Sequence, residues 1–465
     1  CSHGTEGDVF RAILSVCDCS GSNVRGLFFL FFFTVIHVTH TITAPHRYTG
    51  ERIMRVMRGT RPVMIKRVKY IPPVLELHLE PMGNWFKFKE GQYLYLNIPH
   101  IDPNLGELFS SWHPFTISSA MGDLKEKTEK DRFVSLHIKV WPGGWTEKLK
   151  NYLELMNPND SYPMTFTRRD EYVRVVFENI TFYYLHRTRN SHFEHNRYGA
   201  QKLGKILGPD NKPLIRIDGP HASPSQHYDE YKTLMLVGVG VGMTPCASIL
   251  RGILLYVRGV TLSLSLSLSI SGHKHNHKRN RYKMKRGVGP NSVYFYWAVR
   301  HKEVKAYQWF VSMLTELLHV TALNRSTGKI DNTNFVEVHI FVTSVDSNAP
   351  LEPMRAGEQV VFKTKDSAKG VRDKNAAGFS AEQLWNMLQR PSVDSSRYNA
   401  QLALAAKNPK APKNRLSNLW IWSGRPNWDE IFVDVAKRRP MDSEYIGICF
   451  CGMSAIGDAL QECCE

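Results

Sequence analysis

The sequence predicts an antiparallel β-barrel followed by a Rossmann-like parallel-sheet α/β domain. Between residues 62 and 220, short runs rich in β-branched and aromatic residues are separated by turn sequences such as PMGN and KEGQ. At residue 231 the pattern changes to strand, glycine loop, helix and strand, an alternation typical of parallel sheets. A length of 465 residues accommodates both domains.

The composition indicates a globular protein with a moderate basic excess. Hydrophobic residues make up 42% of the chain, which argues against general disorder. The formal charge is +17, but the tract HKHNHKRNRYKMKR at 273–286 alone supplies seven Lys and Arg residues. Tyr282 is its single aromatic residue, so the tract does not indicate nucleic-acid binding. The remaining basic excess suits phosphate-rich ligands.

The eight cysteines form no C-x-x-C pair and no zinc-like array with histidine. We therefore expect reduced thiols in a cytosol-like compartment. A disulfide from Cys17 or Cys19 to a cysteine near the C-terminus is the alternative.

The first 50 residues are predicted to be a membrane-proximal segment or a truncated transmembrane remnant. The run GLFFLFFFTVIHV at 26–38 is strongly apolar but shorter than the roughly 20 residues of a membrane span. The chain begins with Cys1, so we expect the natural N-terminus to lie further upstream. Residues 51–61 are basic and amphipathic, which fits either a membrane surface or a solvated helix end.

Residues 51–225 are predicted to form the β domain, as a barrel or a sandwich. Its apolar runs follow one another at short intervals and are bounded by turn residues. The predicted strands are 63–68, 74–79, 93–98, 115–118 and 134–140.

Residues 226–465 are predicted to form the α/β domain, with insertions at about 260–289 and 345–415. The first insertion begins with alternating Leu and Ser, which is either an amphipathic strand or low-complexity sequence; we favour the latter. The second is rich in Ala, Asn, Lys and Pro and is expected to be mobile, with one helix near 381–388. The other predicted elements are strands 233–237, 292–297, 336–343 and 446–450 and a helix at 247–255.

The glycine loop VGVGVGMTP predicts a nucleotide site. Glycine permits positive φ and close approach to phosphate, and the helix that follows offers free N–H groups. A helix cap at Thr244 and a first-turn proline at Pro245 favour this interpretation. A strand-to-helix turn without a ligand is the alternative. The loop residues are Gly238, Gly240 and Gly242.

Two arginines favour NADPH over NADH. Sites for the 2′-phosphate place an arginine at the end of the second strand, where NAD sites place an acid. The strand NSVYFYWAVR contains no acid and ends in Arg300. Arg425 in SGRPNW is a candidate second cation, and a surface position is the alternative for both.

Two motifs in the β domain are candidates for a second cofactor. WHPFTISSA at 112–120 offers a flat β surface with an aromatic ring and hydroxyl groups, as a flavin ring requires. LHIKVWPGGWTEKL at 136–149 joins a strand to a helix through small residues, with Thr146 as cap and donor and Lys139 as counter-charge for a pyrophosphate. A packed β-hairpin is the alternative.

The order of these motifs resembles the dehydrogenase half of the NADPH oxidase family, within the ferric reductase and ferredoxin-NADP reductase-like superfamily. The resemblance covers residues 51–461 apart from the insertions. Its motifs are HPFTISS, HIK with GGWT, DGPHASPS, VGVGVGMTP, YFYWAVR, FVTSVD, GRPNW and FCG. It implies an FAD-binding antiparallel β-barrel followed by an NADPH-binding α/β domain.

The resemblance also implies the site residues. The family usually has Arg at the position of Lys139 and Asp at that of Gly144. Implied for FAD are His113, Pro114, Phe115, Thr116, Ser118, Ser119, His137, Ile138, Lys139, Gly144, Trp145 and Thr146. Implied for NADPH are Gly238, Gly240, Gly242, Thr244, Pro245, Arg300, Arg425, Cys451 and Gly452, with Cys451 against the nicotinamide as the catalytic contact and no metal ligand.

The implied activity is hydride transfer from NADPH to FAD, followed by single-electron transfer to haems in a membrane domain that this chain does not include. Oxygen would be the final acceptor, giving superoxide or hydrogen peroxide, with this region on the cytosolic face of a membrane. Regulatory subunits are not identifiable from the sequence. The alternatives are a ferric-chelate reductase of the same superfamily and a membrane-associated scaffold with degenerate cofactor sites.

Overall fold

The computed structural model describes part of the chain in two compact units, residues 1–57 and 58–465. The described residues are 50–55, 57–59, 61, 63–81, 85–98, 101, 111–124, 132–155, 164–165, 215–269, 290–326, 335–354, 378–438 and 445–464. Of the first unit, residues 50–55 are helical. The apolar segment 26–38 and the basic tract 273–286 lie outside the described residues.

The β domain consists of two antiparallel sheets around one core. The strands alternate inward and outward side chains: in Tyr93–Asn97, for example, Leu94 and Leu96 are fully buried while both tyrosines are half-buried. An isolated bridge between Ile117 and Leu136 connects the two sheets. The first sheet has the order β5-β2-β1-β6 and consists of β1 Val63–Ile71, β2 Val74–Pro81, β5 Val134–Lys139 and β6 Met164–Thr165. The second sheet has the order β4-β3-β7 and consists of β3 Tyr93–Asn97, β4 His113–Thr116 and β7 Arg216–His221. Helices α1 Met121–Leu124 and α2 Trp145–Leu155 complete the domain.

The α/β domain contains a six-stranded sheet with helices on both faces. Leu234 and Leu236 belong to the core on one face, and Met235 and Val237 to the core on the other. Such unbroken apolar strands are typical of a parallel sheet buried on both sides. The sheet order is β11-β12-β10-β9-β8-β13, with β8 Thr233–Val239, β9 Ser292–Arg300, β10 Phe335–Thr343, β11 Arg415–Leu416, β12 Leu419–Ser423 and β13 Ile446–Cys451. The helices are α3 Thr244–Ser269, α4 Gln308–Ser326, α5 Ala381–Gln389, α6 Tyr398–Lys407, α7 Trp428–Arg438 and α8 Ser454–Glu462.

All strands of this sheet except β11 run parallel, so their carboxyl ends lie along one edge. From β8 the chain continues to β9 on one side and later returns to β13 on the other. Ligands of open α/β sheets bind at such a reversal of strand order. The predicted fold class is confirmed, and the glycine loop follows the strand at which the order reverses.

Residues 378–415 differ from the expected mobile insertion. Helix α5 begins with a capping box at Ser380 and buries Leu384 and Trp385. Tyr398, at the start of α6, is buried against Trp422 with ring centroids 5.1 Å apart. A few apolar residues at helical spacing therefore anchor this part to the core although its composition is that of a loop. Residues 355–377 lie outside the described part.

Helix α3 extends well beyond the predicted 247–255. Its backbone is helical to Ser269, so up to that point the alternating Leu and Ser do not form the amphipathic strand considered as one alternative. Once a helix has begun, each added residue gains a hydrogen bond at little cost. Gly240–Val257 is long and apolar enough to cross a membrane by composition, but 67% of it is buried within the protein. Residues 270–289 lie outside the described part.

Candidate functional site

The glycine loop forms a tight turn between β8 and α3. Residues Gly240–Met243 make one turn of 3-10 helix, and Gly240 has a φ of +53°. A Cβ at Gly238 would lie 2.6 Å from Met243 Cα, and a Cβ at Gly242 would overlap the carbonyl oxygen of Cys451. Gly238 and Gly242 are thus required by contacts within the protein, and Gly240 by its backbone conformation.

Of the three loop glycines, Gly240 has the most room for a Cβ. Among the described residues, Glu303 Oε2 alone lies within 4 Å of the position of its Cβ, at 3.8 Å. The indole of Trp297 donates a hydrogen bond of 3.2 Å to its carbonyl oxygen and fixes the turn. A ligand can therefore approach the loop backbone here.

The helix begins differently from the prediction. Thr244 has φ −58° and ψ −43° and is the first helical residue, not a cap. Its N–H donates to the Val241 carbonyl of the preceding turn. Pro245 occupies the first turn, as predicted, where its missing N–H costs nothing.

A cleft opens beside Arg300 at the carboxyl ends of β9 and β10. Arg300 is paired with Thr343 in the sheet, and its side chain is exposed. Arg425 is also exposed, but it follows β12 and lies outside this cleft. The cleft has a volume of about 390 Å³ and is lined by Arg300, His301, Lys302, Ser344, Asp346 and Ala349.

Cys451 lies beside the glycine loop at the end of β13, where it pairs with Gly238. Its side chain is half-buried, and burial raises the pKa of the thiol. The thiol is therefore protonated near neutral pH and offers a neutral contact surface. At Gly452 a Cβ would contact the Phe450 ring at 2.9 Å, so that glycine keeps the turn compact.

An aromatic surface, which we call the aromatic shelf, lies on edge strand β4. His113 stacks on Trp145 with centroids 4.0 Å apart, and the Phe115 ring lies 6.1 Å from the same indole. Pro114 is exposed and Thr116 is half-buried on the opposite side of the strand. The structure thus brings together the predicted HPFT and GGWT motifs.

The backbone N–H groups of Trp141, Gly143 and Gly144, in the turn before α2, form hydrogen bonds within this segment. Gly143 has a φ of +71°, and among the described residues none beyond its chain neighbours has an atom within 4 Å of where its Cβ would be. Its N–H donates 2.7 Å to the carboxylate of Glu147, which the sequence analysis missed. Thr146 Oγ1 accepts from the Trp141 N–H at 2.9 Å, and the Gly144 N–H donates to the Trp141 carbonyl. Hydrogen bonds within the protein therefore hold this turn in its conformation without a ligand.

Four of the predicted flavin residues are buried. Ser118 Oγ lies 2.7 Å from His137 Nδ1, Ser119 Oγ accepts from the Ser135 N–H, and Ile138 is in the core. Burial lowers the pKa of His137 to about 3, although the nearby Glu76 carboxylate acts in the opposite direction. These side chains support the barrel and do not line an open surface.

Two contacts join the domains next to these motifs. The His137 ring stacks on Trp309 of α4 at 3.8 Å. Lys139 Nζ donates 3.0 Å to Glu303 Oε1, and both side chains are largely buried. Part of the Lys139 charge predicted for a pyrophosphate is thus neutralised by Glu303. Neither Trp309 nor Glu303 belongs to a predicted motif. The sequence did not predict them because contacts between domains leave no periodic pattern in a sequence.

Comparison with known protein families identifies the family of this chain. The family model for the ferric reductase NAD binding domain matches residues 231–465. The chain belongs to this family. The FAD-binding domain model matches residues 61–225, immediately before it. The chain is therefore an oxidoreductase region that binds FAD and a nicotinamide dinucleotide, and the resemblance seen in the sequence is confirmed.

Relatives of this ferric reductase-type chain include a superoxide-generating NADPH oxidase heavy chain of Dictyostelium discoideum. The two are 27% identical over 448 residues, covering 93% of this chain and 59% of the relative. A respiratory burst oxidase homolog of Arabidopsis thaliana is 25% identical over 88% of this chain and 34% of its own length. This chain therefore spans only part of the relatives. Ferredoxin-NADP+ reductase from Plasmodium falciparum is 12% identical, with a TM-score of 0.31 over 84% of this chain and 95% of its own.

The residues of the structure fit both cofactors. For FAD, the aromatic shelf is partly exposed on an edge strand, and the turn at Gly143 is open. For the dinucleotide, the half-buried loop at Gly240 and the cationic cleft at Arg300 lie at the edge of the sheet where the parallel strands end.

Proposed function

We propose that this chain is the dehydrogenase region of an NADPH oxidase. Electrons from NADPH would pass through FAD to haems of a membrane domain outside this chain and then to oxygen, giving superoxide or hydrogen peroxide. The region would lie on the cytosolic face of that membrane. The names of the relatives support the oxidase activity. The observation that carries the proposal is the contact of the two candidate cofactor sites through Lys139 and Glu303.

The β domain would hold FAD. When bound, FAD accepts a hydride from NADPH and releases electrons one at a time. His113 and Phe115 would contact the ring system at the aromatic shelf, since aromatic faces attract one another in offset or edge-on stacks. The pyrophosphate would lie at the N-terminus of α2, where the helix dipole favours an anion, and would replace the Glu147 carboxylate as acceptor of the Gly143 N–H.

The α/β domain would hold NADPH. The N-terminus of α3, which follows the glycine loop, would face its phosphates, and Arg300 would bind the 2′-phosphate. Cys451 would bring a neutral, poorly solvated surface to the nicotinamide side of the site. The task of these residues is orientation, because hydride transfer depends on close contact of the two rings.

Titration of the full chain with FAD, followed by NADPH without oxygen, tests the proposal. Bound FAD is expected to lose its absorbance at about 450 nm on addition of NADPH, and more slowly with NADH. Folded chain saturated with FAD that shows no bleaching with NADPH would contradict the proposal and favour a scaffold with degenerate sites.

A ferric-chelate reductase is the second candidate, because the matching family model is described as that of ferric reductases. The two functions share both cofactors and differ in the final acceptor. Membranes carrying the full-length protein separate them: the oxidase converts oxygen to superoxide without added iron, whereas the reductase requires a ferric chelate for rapid NADPH consumption.

A further inference from the structure

A buried carboxylate lies between the two candidate cofactor sites, and the proposed function gives it no contact with a cofactor. Glu303 lies in the turn after β9 and is 5% exposed. Its Oε1 accepts from Lys139 Nζ at 3.0 Å. Its Oε2 points to the open side of Gly240, 3.8 Å from where a Cβ would be. One oxygen is therefore held by the β domain, and the other faces the glycine loop.

The Glu303 carboxylate limits which chemical groups of a ligand can bind next to it. It accepts hydrogen bonds and cannot donate them when ionised. A phosphate carries negative charge and no proton to donate near neutral pH, so it is repelled. The group beside Glu303 must therefore be a hydrogen-bond donor, which in a dinucleotide means a ribose hydroxyl or an amide.

The place of Glu303 in the fold decides which donor this is. Gly240 follows β8, which lies between β9, ending at Arg300, and β13, ending at Cys451. The 2′-phosphate end of the ligand belongs to the cationic cleft at Arg300. Glu303 instead faces the β domain through Lys139, and the nicotinamide must approach that side to reach the flavin.

We propose that Glu303 binds the nicotinamide-ribose half of NADPH through a ribose hydroxyl or the carboxamide, and that Lys139 holds its carboxylate in place. This inference rests on the proposed function. It also gives Lys139 a role different from that of a counter-charge for the FAD pyrophosphate.

Calorimetric titration of the FAD-loaded full chain with two ligands tests the assignment. NADP+ carries the nicotinamide half, whereas 2′,5′-ADP carries only the adenosine half with its 2′-phosphate. Glu303→Gln is expected to weaken NADP+ binding about ten-fold, as for the loss of a hydrogen bond to a charged group. The affinity for 2′,5′-ADP is expected to stay unchanged.

Glu352→Gln is the matched control. Glu352 is also a lysine-paired carboxylate, 3.8 Å from Lys305 of the same turn, but it is exposed. It should leave both affinities unchanged. Thermal unfolding of each variant checks the fold, and Glu303→Asp, which keeps the charge, provides a second variant that should retain part of the NADP+ affinity.

Three outcomes would overturn the assignment. Unchanged NADP+ affinity in Glu303→Gln would exclude a contact with the nicotinamide half. Equal weakening of both ligands would show that Glu303 acts only through the fold of the loop. A wild-type chain that binds neither ligand would overturn the nucleotide site itself and, with it, this inference.

Discussion

At the residue scale, the glycines of the loop are required for different reasons. Gly242 has no space for a Cβ because the Cys451 carbonyl occupies it, whereas Gly240 has space but a positive φ. The sequence showed that the loop needs glycine. It could not show that Gly242 serves the contact with β13, since this contact joins residues far apart in the chain.

Gly242→Ala is expected to destabilise the chain more than Gly240→Ala. The methyl group of an alanine at position 242 would press on the backbone of β13, which should lower the free energy of unfolding by about 3 kcal/mol or more. An alanine at position 240 would have to adopt the left-handed backbone conformation, which should lower it by about 1 kcal/mol. Urea unfolding measures both. Equal losses, or a Gly242→Ala variant as stable as wild type, would contradict the packing described here.

Arg300 should determine the preference for NADPH. It is exposed in the cleft, so its replacement should remove a phosphate contact without disturbing the core. Arg300→Ala is expected to narrow the ratio of kcat/KM for NADPH over NADH about ten-fold or more. Arg425→Ala, outside the cleft, is the comparison; an unchanged ratio in Arg300→Ala would remove this residue from the 2′-phosphate site.

His137 should make the fold sensitive to mild acid. Burial lowers its pKa to about 3, so the folded chain does not take up the proton that an unfolded histidine binds below its ordinary pKa of 6.5. The free energy of unfolding should therefore fall with pH from about 6.5 downwards, by up to about 2 kcal/mol at pH 5.

His137→Gln removes this contribution and should flatten the dependence between those pH values, as measured by urea unfolding. Burial also lowers the pKa of His339. This residue contributes equally to the pH dependence of wild type and of His137→Gln, so it does not affect the difference between their slopes. Equal slopes for variant and wild type would show that His137 is protonated in the folded chain.

At the element scale, α3 connects the glycine loop to the β domain. Ser248 Oγ donates 2.7 Å to the Ser119 carbonyl, and a Cβ at Gly252 would lie 2.9 Å from the Glu90 side chain. Arg251 donates to Asp123 Oδ1 from Nε at 3.1 Å and from Nη2 at 2.9 Å. The first turns of this helix therefore fix the position of the loop relative to the flavin domain.

Arg251→Ala is expected to uncouple the two domains. It leaves the carboxylate of Asp123 buried without its cation, at a cost of about 3 kcal/mol. Calorimetry should then resolve two unfolding transitions where wild type shows one. Lys150→Ala, which removes the pair with exposed Glu154, is the control; one unchanged transition in Arg251→Ala would contradict the role of α3.

The sequence allowed prediction of the elements whose apolar period is regular. The strand predicted at 74–79 is Val74–Pro81, and that predicted at 336–343 is Phe335–Thr343. Helix α6 and strand β12 were missed because their surroundings have the composition of loops. Of the candidate site, the motifs placed the loops correctly in the chain, but Glu303 and Trp309 become visible only when the two domains are in contact.

At the scale of the molecule, the candidate site of the β domain contacts that of the α/β domain through the Lys139–Glu303 pair. Glu303 accepts from Lys139 of the β domain at 3.0 Å, and its second oxygen lies 3.8 Å from the position of a Cβ at Gly240 in the glycine loop. The chain spans 59% of the length of the Dictyostelium relative and 34% of that of the Arabidopsis one.

Single-turnover reduction of bound FAD by NADPH carrying deuterium at the transferred C4 position tests the central claim most directly. If this chain brings the nicotinamide onto the flavin, absorbance at about 450 nm should fall in one turnover, and deuterium should slow that fall. Bleaching at the same rate with deuterated and ordinary NADPH, or no bleaching in the folded, FAD-saturated chain, would contradict direct hydride transfer within this chain.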